Sequence, residues 1–297
     1  MNRESNLFVY LMLVGTMALW GGTWISGKML AGSMGPLSAS FLRFLSAAVF
    51  LVISAWMQEG KVPRLPLKFV PHTAFLGLTG VFMYSWFFFK GLESIPAGRA
   101  ALIVACIPVC VASVSAMVFK ERFGPLRVLG TLISLFGVSM VLSEGDPLSL
   151  LSHGVAAGDL LILGCVVAWT GYSIGGRIAM RHLDPARAVT WSCVLGALFL
   201  LGPALNAGLV DDVLRSSFGD WLNILYLGVI ATGVSYAWYY RGIRAIGPSR
   251  AAIFINLVPV FAIIFAQILL GETVGLAVLG GGAMVITGVY MTNRFAR

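Results

Sequence analysis

A chain of 297 residues with 59% hydrophobic and only 11% charged residues is not an ordinary soluble domain, in which about 25% of residues carry charge. A net charge of +8 would point to nucleic acid in a soluble protein. Here the basic residues sit between apolar runs, so membrane orientation accounts for them and no nucleic-acid partner is expected.

Ten runs approach the roughly 20 apolar residues that a spanning helix needs: 8–30, 36–56, 72–91, 96–119, 125–142, 156–180, 185–207, 219–240, 248–270 and 274–291. The first is too long for a signal peptide and lacks an A-x-A-like cleavage site. Prolines 36, 96, 125, 185 and 248 open runs, where a missing N–H costs little. The longest connections are 57–71 and the acidic 208–218 region.

The chain repeats itself. A shift of 151 residues carries Gly77 onto Gly228, Arg99 onto Arg250, Pro108 onto Pro259, Glu121 onto Glu272, Gly130 onto Gly281 and Gly137 onto Gly288. A shift of 149 carries Trp20 onto Trp169, Lys28 onto Arg177 and Pro36 onto Pro185. The expected fold is therefore an all-α polytopic membrane protein of two five-helix repeats, 1–145 and 150–297. With the N-terminus in the cytoplasm, fifteen of the twenty Lys and Arg residues fall on the cytoplasmic side, so both termini are expected inside. Five helices per repeat then invert the second copy. Lys120-Glu121-Arg122 lies inside, and its counterpart Gly271-Glu272-Thr273 has lost both cations.

Several residues stand out against this frame. Lys28/Arg177, Lys90/Arg241 and Arg99/Arg250 keep their charge in both copies, as snorkelling anchors or as cations offered to an anionic group. Arg43 is the one charge well inside a run; pairing with backbone carbonyls and attraction of substrate both fit it. Aromatic residues crowd the third run (Tyr84, Trp86, Phe88) and the eighth (Tyr236, Tyr239). Interfacial belts explain many of these. Trp20 and Trp169 lie about 15–18 Å into their helices, and Trp24 and Tyr172 share their faces. A buried indole N–H wants a partner that lipid cannot supply, so these faces should turn inward, to packed helices or a cavity. Pro108 and Pro259 should kink their helices at matching points, as hinges or as static bends. Asn256 has the freed backbone or the substrate within its choice of partners. Glycines seven apart, at 15/22, 130/137 and 281/288, suit close helix contact.

Other chemistry lacks support. The cysteines (106, 110, 165, 193) lie in apolar runs and the histidines (72, 153, 182) in or near loops, so no metal site, disulfide framework or cofactor is expected. No acid lies deep in a run, Asp159 being the deepest, and there is no serine–histidine or paired-carboxylate arrangement, so no enzyme is expected.

Trp20-Gly21-Gly22-Thr23-Trp24 through Lys28, Leu42-Arg43-Phe44 with Ala47, and the paired series Pro108, Glu121, Gly130, Gly137-Val138 and Pro259, Glu272, Gly281, Gly288-Val289 resemble the ten-helix, EamA-type branch of the drug/metabolite transporter superfamily. Within that family the chain is similar to exporters of aromatic amino acids. The resemblance implies a bacterial inner-membrane carrier, taken as a monomer, with a central cavity between repeats and alternating access. Its partners would be membrane lipid and a small-molecule substrate. It also implies bending at the fourth and ninth helices. The first run has no acid, unlike the small multidrug-resistance relatives, which counts against proton-coupled export of organic cations by their mechanism.

The expected function is export of small amphiphilic metabolites, foremost aromatic and other neutral amino acids. Trp20, Trp24, Tyr84, Trp86, Phe88, Trp169, Tyr172 and Tyr236 would form the surround, with Lys90 or Arg43 meeting a carboxylate. The alternatives are export of hydrophobic drugs or nucleotide-like metabolites, and a non-transporting scaffold or receptor. The small extramembrane share argues against the last.

Overall fold

The computed structural model describes residues 6–60, 64–120, 124–149, 155–181, 183–246 and 254–294. These are helical throughout apart from connections, with no strand among the described residues. Among the described residues, seven helices are long and apolar enough to cross a membrane. They are α1 (Asn6–Ala31), α2 (Pro36–Glu59), α3 (Leu67–Leu92), α4 (Ala97–Phe119), α5 (Pro125–Leu142), α6 (Ala157–Ala179) and α7 (Pro185–Asn206). Then come the short α8 (Leu209–Arg215), the apolar α9 (Phe218–Val234), α10 (Ser235–Ile246) running on from α9, α11 (Val258–Leu270) and α12 (Leu276–Arg294). Against ten expected spans, seven reach spanning length unaided; α9, α11 and the apolar part of α12 are shorter.

Local chemistry sets many of the ends. Prolines open α2, α5 and α7, where the missing N–H has no helical acceptor. The Asp184 carboxylate accepts from Ala186 N–H at the start of α7, and Ser217 and Asp220 form a capping box on α9. Gly60 and Gly271 close α2 and α11 in the left-handed conformation (φ 67° at each). The acidic 208–218 stretch, read from sequence as a connection, contains α8: Gly208 turns the chain at φ 98°, and Asp211 and Asp212 lie in the first turn, where negative charge suits a helix.

The chain falls into two compact units. One comprises Met1–Ile25, Ile95–Leu160 and Val234–Arg297. Its tightest pairing is α5 against α12, glycine on glycine. A Cβ on Gly137 would stand 2.6 Å from the Gly281 carbonyl oxygen, and one on Gly130 2.8 Å from that of Gly288. Only glycine allows so close an approach of the two backbones. In the same unit α4 packs on α11, and the Glu272 carboxylate accepts from the N–H groups of Ala97 (3.1 Å) and Gly98 (3.3 Å), capping α4. Glu121 and Arg250, which entered the repeat alignment, lie outside the described residues.

The other unit comprises Ser26–Ser94 and Leu161–Gly233. There α7 packs against α2 and the middle of α3, burying Phe44, Ala47, Val81, Cys193 and Leu200. Gly77 and Gly196 face each other at this contact.

Two departures from regular α-helix occur at matching positions in the repeat. α3 is π-helical over Gly77–Met83, and α9 over Tyr226–Val234. The Thr232 hydroxyl, bonded to the Leu227 carbonyl five residues back (2.8 Å), fits the wider turn. The expected kinks at Pro108 and Pro259 take the form of interruptions. α4 breaks after Val104 and restarts at Ile107, so Pro108 sits in a new first turn. α11 is preceded by a 3-10 turn, Phe254–Leu257, and Pro259 again lies in the first turn. A proline cannot donate to the preceding turn, so the helix restarts just ahead of it.

Candidate functional site

One ordered run of aromatic rings lies in the second unit. Phe88, 1% exposed, stacks on Tyr84 at 6.2 Å between centroids. Tyr84 meets Trp169 at 5.2 Å, and Trp169 meets Tyr172 at 5.0 Å. Aromatic contacts of this kind contribute about 1 kcal/mol each beyond area burial. Two glycines make the room. A Cβ on Gly27 would strike the Phe88 ring, and one on Gly80 would lie 2.6 Å from Cγ of Tyr172. The Cys165 thiol backs the run, donating to the Tyr84 carbonyl at 3.5 Å.

Arg43 joins this run from α2. Its guanidinium carbon stands 5.1 Å from the Phe44 ring centroid and 5.5 Å from that of Phe88. Its Nε and Nη1 atoms are buried. A cation on aromatic faces away from water is held by about 2 kcal/mol or more. Five residues singled out in the sequence, Arg43, Tyr84, Phe88, Trp169 and Tyr172, are thus contiguous.

Trp20 forms a second cluster in the first unit, with Tyr236 at 5.8 Å and Tyr239 at 5.3 Å. Trp24 is buried in the same unit. The repeat that carries Trp20 onto Trp169 thus equips each with at least one tyrosine from the helix just after a π-helical stretch, Tyr84 for Trp169 and Tyr236 and Tyr239 for Trp20.

The other residues lie elsewhere. Trp86 is 36% exposed and packs on Phe87. Lys90 donates to Glu93 at 2.6 Å with its side chain 47% exposed. Asn256 lies in the 3-10 turn before α11, and its side chain is outside the described residues. Lys28 donates to the Leu92 carbonyl at 2.6 Å, a cation on the C-terminal end of α3. Arg99 is the hub of a network. It grips Asp159 with Nε (2.9 Å) and Nη2 (2.7 Å), Glu144 with Nη1 (2.6 Å), and the Leu142 carbonyl at 2.7 Å. Sequence reasoning missed this pairing and the two π-helical stretches.

A helical, multi-pass chain with partly buried aromatic clusters and a cation within a span has the form of a membrane carrier for small molecules. Two stretches, residues 7–143 and 156–294, match the EamA-like transporter family, and the chain belongs to that family. It is 29% identical to the uncharacterized transporter YyaM of Bacillus subtilis, over 99% of this chain and 96% of that protein. An uncharacterized transporter of Archaeoglobus fulgidus is 27% identical over 97% and 98%. A chloroplastic WAT1-related protein of Arabidopsis thaliana is 25% identical over 98% of this chain and 70% of its own. A solved crystal structure superposes with a TM-score of 0.63 at 21% identity, over 99% of both chains, and so shares the fold.

Proposed function

We propose that this protein is an inner-membrane secondary carrier that exports aromatic and other neutral amino acids by alternating access. Its architecture is ten membrane crossings in two inverted five-helix repeats. The observation that carries the substrate reading is the run Phe88–Tyr84–Trp169–Tyr172 with Arg43 against its end. Rings offer a flat apolar ligand stacking, and the guanidinium offers a carboxylate an opposite charge. The two family matches support the repeat, and the paired aromatic clusters support a role for both halves. The breaks ahead of Pro108 and Pro259 are the bending points in this reading.

Efflux of labelled tryptophan from proteoliposomes tests it. The wild-type protein should release tryptophan faster than protein-free vesicles. Trp169→Ala should cut that release about tenfold, from the loss of one aromatic face for the substrate ring, worth about 1.4 kcal/mol. Release unchanged in Trp169→Ala combined with Arg43→Gln would reject the site.

A further inference from the structure

We infer that the basic end of the second unit is a docking surface for anionic phospholipid. Its exposed cations take the phosphodiester headgroups, and apolar side chains beside them enter the acyl region. Substrate recognition plays no part in this surface.

Three stretches distant in sequence meet there. Leu65, in the connection before α3, and Phe69, in its opening 3-10 turn, pack on Leu76, on Ala179 at the end of α6, and on Leu183 and Ala188 around the start of α7. That packing gathers Arg64 and Lys68 at one end of the unit with Arg177 in the last turn of α6, Arg181 just past it and Arg187 in the first turn of α7. All are exposed except Arg187, which is half-buried. The Lys68 ammonium lies 4.9 Å from the Phe69 ring centroid, and the packed ring holds that charge at the surface.

Among the described residues only Glu59 and Asp184 offset those five cations, leaving an excess of three positive charges. At the opposite end of the unit the balance reverses. There Lys28, Lys90 and Arg215 are outnumbered by Glu93, Asp211, Asp212 and Asp220. Whatever contacts the arginines make one by one, a headgroup phosphate meets the sum of charge.

The apolar neighbours select lipid over a soluble polyanion. Leu67, between Arg64 and Lys68, is 87% exposed. Trp56 and Met57 near the end of α2, and Ile178 and Met180 at the end of α6, are exposed as well. A polyanion in water offers such side chains nothing. At the bilayer boundary acyl chains cover them while the cations reach the headgroups.

The test uses the full chain, stripped of lipid in neutral detergent and given equal amounts of phosphatidylglycerol and phosphatidylcholine. Native mass spectrometry counts each lipid bound. The wild-type protein should prefer phosphatidylglycerol. A cation near an anionic surface is worth about fivefold in binding, so Arg64→Gln with Lys68→Gln should cut the preference roughly twentyfold. Lys90→Gln with Arg215→Gln removes two charges from the opposite end and should leave it unchanged.

Equal binding of the two lipids by the wild-type protein overturns the inference. So does an unchanged preference in the first double variant, or an equal loss in both. Glycerophosphoglycerol is the same headgroup without tails. If it displaces phosphatidylglycerol at equal concentration, the surface is a phosphate site and the lipid assignment falls. Should the first double variant not fold, Arg177→Gln with Arg181→Gln takes its place with the same expected loss.

Discussion

Asp159 and Arg99 stand sixty residues apart in sequence, yet the carboxylate is wrapped by the guanidinium, with 1% and 14% of their side chains exposed. Such a pair adds little over apolar residues of the same shape, but stranding one member is costly, about 3–5 kcal/mol. Arg99→Met and Asp159→Leu should each lower the melting temperature in detergent. The double variant Arg99→Met with Asp159→Leu should recover most of the loss, and a double loss equal to the sum of the singles would contradict the pairing. At this scale, what the sequence reveals depends on distance along the chain. Asp159 is recognisable as the deepest acid, but nothing local points to Arg99. Lys90 is the opposite case: Glu93, one helical turn on, already provides its partner. Trp20 and Trp169 are legible because the repeat aligns one with the other in sequence. Which of the crowded tyrosines meets each depends on helix rotation, and that is fixed by packing.

Helix ends and helix contacts are the parts of the elements most open to reading. Pro125 begins α5 and Leu142 ends it, as hydropathy and proline placement predict. The glycines at 130/137 and 281/288 point to a close contact, and α5 meets α12 through them. Gly137→Leu should prevent this packing, since a Cβ there already intrudes on backbone. Loss of monodisperse protein on gel filtration is the expected result. The π-helical stretches escape sequence reading because they cost no hydropathy and leave the apolar pattern continuous. Such stretches are rare and concentrate at functional sites. Here each precedes the tyrosines that meet a repeated tryptophan, Tyr84 in α3 and Tyr236 in α10. A π stretch amounts to an α-helix with an extra residue. Deleting Leu78, an exposed position within the first stretch, should restore α-helix and leave the Tyr84 face nearly in place. Folding should survive while tryptophan efflux falls. Unchanged efflux would show that the π geometry is dispensable for transport.

For the whole molecule, helix count and charge make separable claims about topology. Among the described residues seven helices are long and apolar enough to cross, and seven crossings would leave the two termini on opposite sides. Ten crossings put them on the same side. The three shorter apolar helices do not stand alone: α9 continues into α10, a 3-10 turn precedes α11, and α12 extends to Arg294. In the ten-crossing reading, these extensions supply the length that the three shorter helices lack. Basic residues favour the cytoplasmic side, and in the ten-crossing topology with both termini inside fifteen of the twenty fall there. Single cysteines at Asn2, Asp211 and Ala296, in a variant with the four native cysteines replaced by serine or alanine, test this with a membrane-impermeant maleimide on intact cells. The Asp211 position should label from outside, and positions 2 and 296 only after the cells are opened. Labelling of position 296 from outside, with position 2 protected, would give an odd number of crossings. The inverted repeat would then be impossible, and the carrier mechanism built on it would have no structural basis.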